Sequence, residues 1–315
     1  MPPALSIIII TYNSRGDIAR CLASLQQFCR GVAYEIIVCD NASADGSAEL
    51  IAREFPFVKL LRLPENRGFG AANNAAVQMA QGRYLLLLNP DTWVDDDLAA
   101  ALAGFLDANP AAAGCVPKHL NPDGSIQIGA VRELPTLATL FYERSGLARL
   151  FPKSRRFGRY RMTWWDHNEQ RPVPQAGACL ALRREVFQAA GGFDEGYFMY
   201  FEDVELCHNV AAAGGKLYYL PAVRVYHVGG QSAKQAVAHN FLAFYRSLCR
   251  YFRKHHGPKQ VLIAKLIVGF SELATLLLLS LALPFDRLLP APQSWRSRRA
   301  QWCGHALLLL RLWSF

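Results

Sequence analysis

The chain has 315 residues, enough for one large domain or for one domain with an added segment. Its hydrophobic content of 52% and the absence of a low-complexity tract exclude a mainly disordered protein. The net charge of +9 is uneven: residues 240–315 carry 11 of the 34 Lys and Arg residues and 2 of the 25 Asp and Glu residues, so residues 1–239 are neutral. A basic, leucine-rich C-terminal segment favours an anionic membrane surface over nucleic acid as its partner.

The eight cysteines are scattered singly and form no C-x-x-C pair, so neither a zinc nor a redox centre is predicted. The N-terminal apolar stretch, Leu5 to Ile10, is short and no basic region precedes it. It is therefore expected to be a strand and not a signal peptide. These features predict a chain that stays in the reducing cytoplasm.

Apolar strand patterns alternate with helical patterns over the first 110 residues. The predicted strands are Ser6–Ile10, Glu35–Asp40, Val58–Leu63 and Tyr84–Leu88. The predicted helices start after the capping-box-like Ser14-Arg-Gly-Asp17, near Ala48, at Gly70 and at Asp95-Asp-Asp97. This alternation predicts an α/β fold with a doubly wound, mostly parallel sheet and helices on both of its faces.

The next stretch, residues 120–175, is irregular and predicts only a loop-rich insertion. Regular patterns then return as a strand over Gly177–Leu182, helices over Arg183–Ala190 and Glu202–Ala213, and a strand over Lys216–Leu220. Residues 1–239 are therefore predicted to be the catalytic domain, and residues 240–315 a separate helical tail.

Three loops that follow predicted strands end in short polar side chains. They read Thr11-Tyr12-Asn13, Asp40-Asn-Ala-Ser43 and Asn89-Pro-Asp91. In a doubly wound sheet such loops line the ligand crevice, although Asn and Asp are also ordinary turn residues. A G-x-G-x-x-G sequence is missing after the first strand, which disfavours a nicotinamide enzyme.

Asn89-Pro-Asp91 has the spacing of a D-x-D motif with the first acid replaced by an amide. One carboxylate, diphosphate oxygens and a neutral imidazole can together hold Mg²⁺ or Mn²⁺. Asp91 is the candidate carboxylate, and His227 is a candidate imidazole that could equally be a structural histidine.

Glu202 and Asp203 follow an aromatic stretch at a predicted helix start. Carboxylates are common there as caps, but one of the two could instead be a general base. Aromatic surroundings would raise the pKa of that base and the helix dipole would lower it.

These residues carry a family resemblance over residues 5–232. The matching strings are Ser6–Asn13, Val38–Ser43, Asn66–Asn73, Leu88–Asp91, Gly191–Glu195, Tyr200–Asp203 and His227–Gly230. In this order they resemble family 2 glycosyltransferases of the GT-A fold, in particular bacterial rhamnosyltransferases.

The resemblance implies a role for each matching position. The donor side comprises Thr11, Tyr12, Asn13, Asp40, Asn66, Arg67, Gly68 and Asn89, with Asp40 at the nucleobase. Asp91 is expected to hold the metal ion with help from His227. Asp203 is the expected base, and Glu202 is the second candidate.

Two departures from the family pattern limit what is carried over. Cys207-His208-Asn209 stands where such sequences often have an arginine, so no role is assigned there. The Q-x-x-R-W string of processive synthases is missing, which predicts single transfers.

The combined prediction is an inverting, metal-dependent transferase. It would move a sugar, L-rhamnose from dTDP-L-rhamnose in the first instance, from a nucleotide-diphosphate donor to a lipid-linked or cell-envelope saccharide. A sugar nucleotidyltransferase would share the crevice but should have a glycine-rich, arginine-containing loop after the first strand. An inactive nucleotide-sugar-binding scaffold subunit is the other alternative.

The tail contains two helical patterns. Asn240–His256 has Phe241, Phe244, Tyr245, Leu248 and Phe252 on one face, and Val261–Phe285 is mainly apolar but is interrupted by Lys265, Glu272 and Pro284. Helices lying in the cytoplasmic interface of the cell membrane are expected, as in a peripheral or monotopic protein. Packing on the catalytic domain, an oligomer interface and a membrane span are the alternatives.

Overall fold

The computed structural model of the chain describes residues 2–229, 237–282 and 292–315. The chain divides into two compact units. The first comprises Met1–Leu134 and Arg159–Ser232, and the second comprises Pro135–Gly158 and Ala233–Phe315. The second unit therefore contains residues 135–158 as well as the C-terminal segment, and no local sequence pattern indicated that association. The predicted Gly230, Pro284 and Phe285 lie outside the described residues.

The first unit is built on a mixed sheet that has nine strands within the described residues. Its strands are β1 Leu5–Thr11, β2 Tyr34–Asp40, β3 Lys59–Arg62, β4 Tyr84–Leu88, β5 Thr92–Trp93, β6 Gly114–Leu120, β8 Arg171–Val173, β10 Cys179–Arg183 and β11 Leu217–His227. Strands β7 Val131–Arg132 and β9 Gln175–Ala176 form a separate pair. The order in the large sheet is β3-β2-β1-β4-β10-β6-β11-β5, with β8 paired to β11.

The strands β3, β2, β1 and β4 run parallel to one another. Strand β10 is antiparallel to both of its neighbours, and β11 returns parallel to β6. Thr11 lies opposite Asp40, and Ile9 lies opposite Leu88. The loops after β1, β2 and β4 therefore emerge together at one edge of the sheet, which is where a ligand crevice forms in this class of fold.

Helices cover both faces of the sheet. They are α1 Arg15–Phe28, α2 Ser47–Glu54, α3 Phe69–Val77, α4 Leu98–Ala108, α7 Arg184–Ala189 and α8 Glu202–Ala212. Alternate residues of β1 belong to different hydrophobic clusters. Ile7 shares one cluster with residues of α1, α2 and α4, and Ile8 shares the other with residues of α3, α7 and α8. Continuous apolar strands are needed because both faces are buried. The predicted doubly wound, mostly parallel α/β architecture is confirmed.

Two local predictions differ from the structure. Ser14 precedes α1, but its side chain makes no capping hydrogen bond. The strand predicted over Lys216–Leu220 is the first part of a longer strand, β11, which continues to His227 and whose register shifts between Leu220 and Arg224. Pro221 lies inside that shift and has no N–H to donate, so an irregularity there is the expected response.

The second unit is helical. Its helices are α5 Leu137–Arg144, α6 Leu147–Leu150, α9 Val237–His255, α10 Pro258–Ala282 and α11 Pro292–Arg311, followed by a short 3₁₀ turn, Leu312–Ser314. The predicted apolar face of α9 is confirmed, since Tyr245, Leu248 and Phe252 are buried. Within the described residues, α10 is the helix long and apolar enough to cross a membrane, over 24 residues from Pro258 to Leu281, by length and composition alone.

Candidate active site

The ends of β1 and β2 are joined through the side chain of Asp40. Thr11 Oγ1 donates to Asp40 Oδ1 at 3.0 Å, and the backbone N–H of Ser43 donates to Oδ2 at 3.0 Å. Both Thr11 and Asp40 are buried. Asp40 therefore holds the turn after β2 in place, and each of its oxygens keeps one further lone pair for a donor group.

Asn13 links the first two loops. Its backbone N–H donates to Ser43 Oγ at 3.0 Å, and its Oδ1 accepts from the backbone N–H of Ala44 at 2.8 Å. Its φ of 51° lies in the left-handed region, which asparagine tolerates better than most residues. Beside it, Tyr12 is 41% exposed.

The loop before α3 is organised by Asn41, which was not among the predicted donor-side residues. Asn41 Nδ2 donates to Asn66 Oδ1 at 2.9 Å, and its Oδ1 accepts from the backbone N–H of Arg67 at 2.9 Å. The side chain of Arg67 extends to Glu195 at 3.4 Å. The predicted residues Asn66 and Arg67 are therefore connected to the end of β2 by one buried amide.

Gly68 lies against the loop that leads into α8. Its φ is +86°, and a Cβ at this position would lie 2.4 Å from the backbone oxygen of Phe198. The N–H of Phe69 donates to that same oxygen at 3.1 Å. Only glycine permits this close approach, so the donor-side loop and the loop before Glu202 are in direct backbone contact.

Asp91 and His227 come together although they are far apart in sequence. His227 Nε2 lies 3.2 Å from Asp91 Oδ1, and the backbone N–H of Gly229 donates to Asp91 Oδ2 at 3.1 Å. The pairing of β5 with β11 sets His227 opposite Thr92, next to the Asn89-Pro-Asp91 turn. Asn89 contributes through its backbone, whose N–H donates to the oxygen of Ala178 at 2.8 Å.

Gln127 fixes the imidazole of His227. Its amide nitrogen donates to the backbone oxygen of His227 at 2.9 Å and to Asn121 Oδ1 at 3.2 Å, which identifies the other amide atom as oxygen. That oxygen lies 2.6 Å from His227 Nδ1, so Nδ1 carries the proton. In the neutral ring, Nε2 then presents a lone pair beside the Asp91 carboxylate.

This arrangement fits a divalent cation as a two-ligand site. No group of three or more His, Cys, Asp or Glu side chains suited to a metal ion occurs among residues 2–229, 237–282 and 292–315. Asp91 Oδ1 and His227 Nε2 are donors of the kinds that Mn²⁺ accepts, and Mg²⁺ is commonly held by one or two carboxylates together with substrate phosphates. A bound diphosphate and water would have to supply the remaining ligands.

Glu202 and Asp203 begin α8 after two consecutive left-handed residues, Tyr200 and Phe201. Glu202 is 7% exposed, and its Oε2 has no hydrogen-bond partner within the described residues. Burial, reinforced by the neighbouring charge of Asp203, raises the pKa of Glu202 to about 8. Glu202 is therefore largely protonated at neutral pH.

Asp203 differs from Glu202 in what surrounds it. It is half-buried, its Oδ1 accepts from the backbone N–H of Val204 at 2.8 Å, and a Cβ on Gly177 would lie 2.8 Å from its Oδ2. Burial raises the pKa of Asp203 as well, but the positive charge of Arg132 opposes this increase. Of the two carboxyl groups, Asp203 is the one whose ionised form receives support from a cation.

The predicted residues form three groups that share loops. Asp40 belongs to the first with Thr11, Asn13 and the 66–68 loop, Asp91 to the second with His227, and Asp203 to the third with Glu202. The Gly177–Ala178 turn joins the last two, because Ala178 accepts from Asn89 and Gly177 lies against Asp203. Phe198 joins the first and third groups.

Sequence reasoning missed Asn41, Gln127 and Arg132. Asn41 stood inside a quoted motif and could have been found there. Gln127 and Arg132 lie in the irregular stretch after β6, and a hydrogen bond between residues 127 and 227 leaves no periodic signal.

Comparison with known proteins places these observations in a family. The model of the family described as "Glycosyl transferase family 2" matches residues 6–189. The N-acetylglucosaminyl-diphospho-decaprenol L-rhamnosyltransferase of Mycobacterium tuberculosis is 30% identical over 273 residues, which cover 82% of this chain and 86% of the relative. The rhamnosyltransferase WbbL of Escherichia coli K12 is 26% identical over 59% of this chain and 70% of its own length.

Two solved structures share the fold. The mannosyltransferase PcManGT of Pyrobaculum calidifontis, in complex with GDP-Man and Mn²⁺, matches with a TM-score of 0.52 at 17% identity over 98% of this chain and 88% of that one. TarS 1–349 of S. aureus in complex with UDP matches with a TM-score of 0.53 at 15% identity over 99% and 91% of the two chains.

Proposed function

Because this chain belongs to glycosyltransferase family 2, and is a hexosyltransferase, we propose that it transfers L-rhamnose from dTDP-L-rhamnose to a hydroxyl group of a lipid-linked saccharide. The observation that carries the proposal is the 30% identity over most of both chains to a relative named as an L-rhamnosyltransferase with a polyprenyl-diphosphate acceptor. The matched fold alone does not select the nucleotide, since one similar structure holds GDP-Man and another UDP.

The donor would lie over the ends of β1, β2 and β4. Asp40 and the exposed ring of Tyr12 are at the edge of this surface and would hold the nucleobase. Thr11, Asn13 and the 66–68 loop would position the rest of the nucleotide through the hydrogen bonds that connect them. Asn89 would contribute by holding the Asn89-Pro-Asp91 turn in place through its backbone hydrogen bond to Ala178.

Asp91 and His227 would meet the diphosphate. Asp91 and His227 are the residues that would hold a Mg²⁺ or Mn²⁺ ion, whose chemical contribution would be to neutralise negative charge on the leaving diphosphate. Asp91 Oδ1 and His227 Nε2 lie 3.2 Å apart, and Nε2 can present a lone pair to a cation in the tautomer that Gln127 sets.

Asp203 would act as the general base. It would take the proton of the acceptor hydroxyl as that oxygen attacks the anomeric carbon and the bond to the diphosphate breaks. One direct displacement of this kind inverts the anomeric configuration. The ionised form of Asp203 is supported by Arg132, whereas burial keeps Glu202 protonated near neutral pH, so Asp203 is the better base.

The lipid-linked acceptor that we propose would lie at a membrane. We locate the protein on the cytoplasmic face of the cell membrane as a peripheral or monotopic enzyme, supported by the basic, apolar character of its second unit. The alternative is that the apolar residues of the second unit form the interface of an oligomer.

A product analysis tests the function. The protein is incubated with Mn²⁺, dTDP-L-rhamnose and a polyprenyl-diphosphate N-acetylglucosamine, with UDP- and GDP-hexoses as alternative donors. We expect dTDP release and a rhamnosylated lipid of inverted configuration by NMR. Formation of dTTP and rhamnose 1-phosphate from dTDP-L-rhamnose and added pyrophosphate would instead identify a nucleotidyltransferase. Binding of the donor without turnover on any acceptor would identify a scaffold subunit.

A further inference from the structure

The two charged residues in the apolar helix α10 lie inside the second unit. Glu272 is fully buried, and its carboxylate contacts the guanidinium of Arg144, Nδ1 of His305 and, at 3.4 Å, the hydroxyl of Tyr245. Lys265 is 8% exposed, and its Nζ donates to the backbone oxygen of Phe315 at 2.8 Å. The two residues are seven positions apart, which is two helical turns, so they share one side of α10.

The other side of α10 is apolar and exposed. Residues on it recur every three or four positions and are at least half exposed: Leu262, Leu266, Phe270, Leu273, Leu277 and Leu281. We call these six residues the outer stripe. The stripe covers 20 residues, or about 30 Å of helix at 1.5 Å per residue. An exposed apolar patch of this extent indicates an interaction surface.

The charge of the second unit identifies the partner. The second unit contains 17 of the chain's 34 Lys and Arg residues but only 3 of the chain's 25 Asp and Glu residues. One of these three acidic residues is the buried Glu272. Arg246, Arg250 and Arg253 on α9 are exposed. A surface that combines apolar side chains with a large positive excess is complementary to a bilayer of anionic lipids.

We propose that the outer stripe of α10 is the lipid-contacting face of this enzyme, and that the helix lies along the surface of an anionic bilayer. The inference deepens the membrane location in the proposed function and rests on it. A transmembrane position is disfavoured because it would draw Arg144, His305 and Lys265 into the hydrocarbon with their partners. A second copy of the chain would bury the stripe but would bring two strongly positive units together.

Vesicle flotation of the full-length protein tests the proposal. Neutral phosphatidylcholine vesicles are compared with vesicles that contain phosphatidylglycerol. The test variant is Leu266→Asn with Phe270→Asn, and the control is Met79→Asn, which removes an exposed apolar side chain from the first unit. We expect wild type and control to float with the anionic vesicles and the double variant to lose at least about tenfold in affinity.

Two further measurements keep the outcome decisive. The first is hydrolysis of the nucleotide-sugar donor by water, measured without vesicles as release of nucleoside diphosphate. Its rate should be the same in all three proteins. A failure of the lipid-contact proposal is thereby distinguished from a failure of the transferase proposal. A nitroxide at position 270, in a Phe270→Cys, Cys303→Ser protein, should report a shallow depth beneath the headgroups. A label at the bilayer centre, resistance to carbonate extraction, full binding by the double variant, or a stripe-dependent dimer without vesicle binding would each overturn the proposal.

Discussion

The side-chain oxygen of Gln127 lies 2.6 Å from Nδ1 of His227, and the amide nitrogen of the same glutamine donates to the backbone oxygen of that histidine at 2.9 Å. One side chain therefore fixes both the position and the tautomer of the ring. The neighbouring His119 is kept neutral because burial lowers its pKa to about 3. The imidazole nitrogen that faces Asp91 is thus set by a residue outside every motif of the sequence.

Replacing Gln127 should weaken metal use. In Gln127→Leu the ring loses its acceptor, and we expect the Mn²⁺ concentration for half-maximal activity to rise about 10- to 100-fold. Gln127→Glu keeps an acceptor for Nδ1–H and should retain most of the metal response. Mn²⁺ binding by electron paramagnetic resonance, with nucleoside diphosphate present, measures the effect apart from turnover. Identical Mn²⁺ titrations for wild type and Gln127→Leu would contradict this role.

Asp91→Asn should abolish most transfer while the fold survives. The amide can still accept from the backbone of Gly229, but it no longer supplies a negative charge to a cation, so we expect a loss of about 10²-fold or more in kcat. Treatment of the wild type with EDTA should have the same effect and should be reversed by Mn²⁺. Full activity of the chelated enzyme with purified donor would show that the metal assignment is wrong.

Amide variants of the carboxyl pair should separate the roles of its two members. Asp203→Asn keeps the shape of the side chain but cannot take a proton, so turnover should fall by about 10²-fold or more while donor binding is retained. Glu202→Gln should lose less, because Glu202 is already protonated near neutral pH. Equal turnover in wild type and Asp203→Asn would rule out Asp203 as the base.

Glu202 should also make the stability of the first unit depend on pH. Its pKa is raised in the folded protein, so the unfolded chain releases this proton at lower pH than the folded chain does. The free energy of unfolding therefore falls as pH rises from the ordinary carboxyl range toward about 8. We expect the Tm of Glu202→Gln relative to wild type to increase over this interval and to level off above it. A difference in Tm that is constant between pH 4 and pH 8 would contradict the raised pKa.

The buried carboxylate of Glu272 should be needed for the stability of the second unit. Glu272→Ala leaves the charge of Arg144 without its partner and should cost about 3–5 kcal/mol. Urea denaturation monitored by the tryptophans of the full chain measures this loss. Thr275→Ala, one turn further along the same helix, is the control and should cost much less. A Glu272→Ala midpoint within the error of the control would show that the network is not stabilising.

The sequence predicted those parts of the molecule whose signals are local. Buried strands such as Leu5–Thr11 need continuous apolar residues, and the helices between them show an apolar face, so the α/β core was predictable. The short polar motifs after the strands led to Asp40 and Asp91, and the acidic pair at a predicted helix start led to Asp203. A resemblance in sequence preserves such short strings.

The remaining features depend on contacts between distant residues. The hydrogen bond from His227 to Gln127 spans 100 positions, and the ion pair from Glu272 to Arg144 spans 128. Lys265 and Glu272 interrupted an apolar run in the linear sequence, yet their seven-residue spacing puts both on the inner side of α10. A linear pattern cannot show which side of a helix has a partner.

The contact of Gly68 with Phe198 has a consequence for engineering. The residues that would hold the donor and the residues that would deprotonate the acceptor share one backbone hydrogen bond, from Phe69 N–H to Phe198 O. Gly70 also packs close to Phe193, with a Cβ clearance of 3.1 Å. Transplanting residues 66–70 alone from a relative with another donor would therefore place a foreign loop against an unmatched partner. We therefore expect a transplanted 66–70 loop to keep its conformation only when residues 193–201 are moved together with it.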